Sequence, residues 1–62
     1  MSPQLLVRSY DEHLRWYASE IALMCSLGQH DDARGVAKAE RSLMKVRNDV
    51  ASLNGIPTTD PD

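Results

Sequence analysis

The side chains best suited to chemistry in this 62-residue chain are Cys25, His13, His30, Asp31, Asp32, Glu12 and Glu20. A thiol nucleophile needs a neighbouring base to make the thiolate. Cys25 has none at helical spacing, and beside Met24 at the flank of an apolar seam it reads as a packed, inert side chain. A tetrahedral zinc site needs more ligands than Cys25, His13 and His30 supply at these spacings. The run His30-Asp31-Asp32 holds metal-binding residue types, but adjacent residues at the start of a helix point in different directions, and both acids are accounted for as caps of that helix. His13, one turn before Tyr17, is expected as a hydrogen-bonded residue at the seam's edge. Glu12 and Glu20 are neither three nor four residues apart, so they form no carboxylate pair for acid–base work. A glycine-rich phosphate loop is absent from the sequence. These residues point to no enzyme, no cofactor and no metal.

Recognition is the chemistry left. Arg34, Lys38, Arg41 and Lys45 follow one another at spacings of 4, 3 and 4, a basic stripe along one side of a helix. A solvated outer face explains such a stripe, and so does a surface that meets an acidic partner or a phosphate backbone. Residues 31–55 carry five basic and four acidic side chains, and the whole chain has net charge −2, short of the basicity of a general nucleic-acid binder. The stretch from His13 to Leu27 is richer in contact-forming types. It contains Trp, Tyr, Met and Arg, which are enriched at protein-binding hot spots.

Those residues must be positioned by helices. Ser2 followed by Pro3 reads as an N-cap and first helical residue. Val7, Tyr10, Leu14, Tyr17, Ile21 and Met24 then recur at 3, 4, 3, 4 and 3, the seam of a helix packed on another helix. Gly28 is the expected stop, because it adopts the left-handed C′ conformation without a Cβ penalty. Asp31 and Asp32 open a second helix, whose expected seam is Val36, Ala39, Leu43, Val46, Val50 and Leu53. Asn54 and Gly55 close it, Ile56 is placed to fold back on the last turn, and Pro57 blocks its resumption. The expectation is one all-α domain over residues 1–56, with helices over about 3–27 and 31–54 and a flexible tail over 57–62. A linker of Gly28, Gln29 and His30 is short enough to force an antiparallel two-helix hairpin. Gly35, expected on the seam side, suggests a close approach of the two helices.

Leu27, Gly28 and Ala33 resemble the turn of a tetratricopeptide hairpin, which would imply a helical solenoid unit. Ile21 and Glu40 stand where that family places small residues, and no second repeat follows.

The first helix has more apolar circumference than one neighbour covers. Leu5, Trp16, Leu23 and Leu27 fall in a second band more than about 100° from the seam. On the second helix Ala33, Ala37, Met44 and Ala51 form a milder counterpart. A chain this short hides only about 60% of the surface its unfolded form exposes, and a single cysteine makes no internal disulfide, so a partner is the expected source of stability. Pairing into a dimeric four-helix bundle, with coiled-coil-like seams, would supply it. The functional expectation is a non-enzymatic interaction module: a homodimer that binds, and inhibits or modulates, a larger protein such as a transcriptional regulator or an enzyme. Leu5, Trp16, Leu23, Leu27 and Met44 are the candidate contact residues, and Arg15, Arg34, Lys38, Arg41 and Lys45 the candidate electrostatic ones. An RNA-binding bundle using the basic stripe and a structural assembly subunit are the alternatives. Uncharged runs such as residues 21–30 are too short to span a bilayer, and the opening residues lack a signal-peptide pattern, so a cytoplasmic location is expected.

Overall fold

The computed structural model describes residues 2–58. Two helices of equal length, α1 (Pro3–Ser26) and α2 (His30–Leu53), pack along each other as an antiparallel hairpin. The start of α1 is fixed as the sequence dictates: the Leu5 amide donates to Ser2 Oγ at 3.2 Å, and Pro3 lies in the first turn where no N–H is required. Both helices end in Schellman motifs. The Gln29 amide reaches the Met24 carbonyl at 2.8 Å around Gly28, whose φ is 75°, and the Ile56 amide reaches the Ala51 carbonyl at 2.8 Å around Gly55, whose φ is 69°.

The start of α2 departs from expectation. Gln29 is the N-cap and makes no side-chain cap bond, while Asp31 and Asp32 sit inside the first turn. There they favour the positive end of the helix dipole rather than cap it, and Asp31 also lies 3.6 Å from Arg34 in an exposed pair.

The larger correction concerns the face of α2 that meets α1. Ala33 and Ala51 are buried, Ala37, Glu40 and Met44 are half-buried on the same line, and Arg47 is buried between them. The expected seam lies about 100° around from this line. Its members Val36, Leu43 and Val50 are half-buried on the flank, while Ala39, Val46 and Leu53 are exposed. The small side chains of the observed line let the helices come together, and Arg47 gains a partner that only this rotation provides. On α1 the expected seam is the observed one, with Val7 buried and Tyr10, Leu14, Tyr17, Ile21 and Met24 half-buried.

Arg47 pins the hairpin. Its Nε donates to Asp11 Oδ1 at 3.0 Å and its Nη2 to Asp11 Oδ2 at 3.4 Å. Its Nη1 donates to Asn48 Oδ1 at 3.1 Å and to the Pro57 carbonyl at 2.9 Å. Planar two-point recognition of a carboxylate fixes both distance and register, so residue levels on the two helices add to about 58 and Val7 stands level with Ala51. The bond to its carbonyl ties down Pro57, the first residue of the expected tail. Residues 59–62 of that expected tail lie outside the described residues.

Gly35 is also corrected. It is exposed, and a Cβ built on it meets nothing within 4 Å, so no close approach within the hairpin requires it.

Candidate functional site

The candidate site is a surface rather than a cleft. Among the described residues the apolar side chains buried by the hairpin are Val7, Ala33 and Ala51, and no large side chain is completely buried. Leu5, Trp16, Leu23 and Leu27 are 53%, 57%, 53% and 63% exposed, and Leu53 is 86% exposed. The four α1 residues share a stripe about 130° from the line that meets α2, as their spacing indicated. Ala39, Val46 and Leu53 lie a similar angle from the contact line of α2.

Because both helices are right-handed and run in opposite directions, these two rotations turn toward the same side of the hairpin. One broad face therefore carries the apolar stripe of each helix, with the half-buried Leu43 and Val50 between them. The sequence predicted the α1 half of this face. It missed the α2 half, because Val46 and Leu53 had been assigned to the intramolecular seam.

Met44 does not join the other contact candidates. It is half-buried near the α1–α2 contact and lines a shallow depression with Arg41, Lys45, Asn48 and Asp49 on the other side of the hairpin. That second face is the basic one. Arg34, Lys38, Arg41 and Lys45 are all exposed, and among the described residues Lys38, Arg41 and Lys45 make no ion pair. Arg15 is exposed on the outer side of α1, away from the four-residue stripe.

Trp16 is the centre of the apolar stripe. Its ring packs against Tyr17 at a centroid distance of 5.4 Å and a 57° tilt, which fixes an indole that remains open to solvent. A shallow hollow beside it is lined by Glu12 and His13. The His13 ring nitrogen Nδ1 lies 3.2 Å from the Ser9 carbonyl, so this histidine is occupied along its own helix, as an edge residue was expected to be.

Cys25 is exposed, contrary to the packed thiol expected from its position beside Met24, because the α2 face turned toward it presents small residues such as Ala33 and Ala37. Among the described residues no group of three or more His, Cys, Asp or Glu side chains is placed to hold a metal ion. No helix among them is long and apolar enough to cross a membrane. Comparison of the chain with protein-family models, curated proteins and solved structures returns no match.

Proposed function

We propose that this hairpin is a non-catalytic protein-interaction module, completed by self-association into a dimeric four-helix bundle and acting by binding a larger protein whose activity it inhibits or modulates. The observation that carries the reading is the exposure of Trp16 and three leucines on one α1 stripe beside Val46 and Leu53 of α2. Withdrawing each such side chain from water is worth roughly 1.5–3 kcal/mol, stabilisation that the protomer leaves largely unused while these residues stay more than half exposed or nearly so. A regulator or an enzyme is the class of target such a small surface-occupying protein serves, by analogy with other small antagonists. The basic face would steer an acidic target toward it, since charge at the rim of an interface governs encounter more than affinity.

Light scattering on the eluted wild-type and Trp16→Ala proteins tests the association. The wild type is expected at about twice the 6.9 kDa chain mass, with the variant shifted toward one chain. Identical masses for the two remove the stripe from the interface. Parallel affinity capture with the same pair tests the target-binding step, which fails if both proteins retain the same set of partners.

A further inference from the structure

Deepening the target-binding part of that reading, and independent of its self-association part, we propose that the basic face is itself a binding site, for an acidic amphipathic helix of the target that lies lengthwise between α1 and α2.

Charge is sorted around the hairpin. Six of the seven Lys and Arg side chains, Arg8 and Arg15 on α1 with Arg34, Lys38, Arg41 and Lys45 on α2, are exposed. Each stands about 100–160° from the α1–α2 contact line, turned in the direction opposite to the apolar stripe of its own helix. The two turns meet on one face, as those of the apolar stripes meet on the other. Carboxylates do not neutralise it. Asp11, on its α1 side, is held by Arg47, and Asp31 lies at its edge beside Arg34. Glu12 and Asp49 stand at its outer edges, Glu20 and Asp32 turn toward the apolar face, and Glu40 lies on the contact line of α2. Among the described residues Arg8, Arg15, Lys38, Arg41 and Lys45 make no ion pair. Like charges at the spacings found on α2 repel in the free chain, and an acidic partner removes that repulsion.

The dimensions of the face narrow the class of partner. The register set by Asp11 and Arg47 spreads the six bases over about 24 Å, the length of a helix of about 16 residues. The bases flank both sides of the line between α1 and α2. Two shallow hollows open on the same face, one lined by Met44 with Arg41 and Lys45, the other by Ala33 and Ala37 with Arg34. A third helix laid there would seat aliphatic side chains in the hollows and carry its carboxylates along both edges. A single nucleic-acid strand finds no ring to stack on, since Tyr10 and Tyr17 lie on the α1–α2 contact and Trp16 on the opposite face. A duplex meets a chain of net charge −2. A bilayer surface cannot engage the basic and apolar faces together, because they point in opposite directions.

The probe is a fluorescein-labelled peptide of that length, with leucine and alanine along one helical face and glutamate on both flanks. Fluorescence anisotropy should show saturable binding of one peptide per chain that weakens with added salt, and at least about tenfold weaker binding of the same peptide with glutamine in place of glutamate. Arg41→Glu/Lys45→Glu should weaken the glutamate peptide about tenfold and Arg41→Gln/Lys45→Gln about threefold. A structural defect would not follow charge in this graded way, and circular dichroism checks that each variant stays helical. Trp16→Ala should bind the peptide as the wild type does. Equal or absent binding of the two peptides, no response to the Arg41 and Lys45 substitutions, or loss of peptide binding in Trp16→Ala overturns the site. So does tighter binding of an RNA oligonucleotide, or of phosphatidylserine vesicles, than of the glutamate peptide. A wild type that stays monomeric yet binds the glutamate peptide overturns self-association and leaves the site standing.

Discussion

Removing Asp11 isolates the interaction that sets the register of the hairpin. The Arg47 side chain is 8% exposed and the Asp11 side chain 37% exposed. Breaking a fully buried pair by deleting one partner costs about 3–5 kcal/mol, because the remaining charge is left without compensation. Here water reaches the Asp11 position, and Arg47 keeps the Asn48 and Pro57 oxygens, so the cost of Asp11→Ala should fall to about 2–3 kcal/mol. For a 62-residue chain the unfolding entropy is about 130 cal/mol/K at roughly 2.1 cal/mol/K per residue. The melting temperature followed by far-ultraviolet circular dichroism should therefore drop by about 15–23 °C at fixed protein concentration. Replacing the charge as well, in Asp11→Ala/Arg47→Met, should recover more than half of that loss, because methionine fills the site without a group that needs a counter-ion. An Asp11→Ala protein within about 0.5 kcal/mol of wild type, the range of an ordinary surface substitution, would refute the claim that this pair holds the helices in place.

Other substitutions test single features of the fold and surface. Gly35→Ala should stabilise the dissociated protomer by about 1 kcal/mol in urea melts of dilute protein, since the helix interior gains propensity and the new methyl group meets nothing. Gly28→Ala should destabilise by about 1–2 kcal/mol in the same melts, the cost of a side chain at a φ of 75°. Ser2→Ala should cost about 1 kcal/mol through loss of the bond to the Leu5 amide. An RNA titration should give no salt-dependent affinity above background, since the basic stripe sits in a chain of net charge −2; steep weakening with added salt would instead favour the RNA-binding bundle.

The parts of this fold legible in the sequence are those governed by local chemistry. Ser2-Pro3, Gly28 and Asn54-Gly55-Ile56 announce their caps because a hydroxyl acceptor, a missing amide and a left-handed residue each have few other uses at a helix end. The α1 seam and the exposed stripe of Leu5, Trp16, Leu23 and Leu27 were also readable, since bulky residues sort cleanly around a helix. The orientation of α2 was not. Two stripes there have the same spacing, and apolar content favours the one with Val46 and Leu53. The stripe with Ala33, Arg47 and Ala51 wins because small residues admit a neighbouring helix and Arg47 finds Asp11 across the gap, a long-range pairing that periodicity cannot express. That same rotation exposes Val46 and Leu53, extends the candidate surface onto α2 and removes Met44 from it. Gly35 departs from expectation for a related reason: the rotation of α2 turns its side of the helix to solvent, where a Cβ meets nothing within 4 Å.

The account depends on the stripe around Trp16 being uncovered in one chain and covered by another. Trp16 is the single tryptophan, so its fluorescence emission reports the state of that stripe directly as protein is diluted. Emission that is blue-shifted and protected from a soluble quencher at high concentration, and that becomes water-like on dilution in step with the fall in mass, is the predicted result. Emission independent of concentration, whether always shielded or always open, would contradict it.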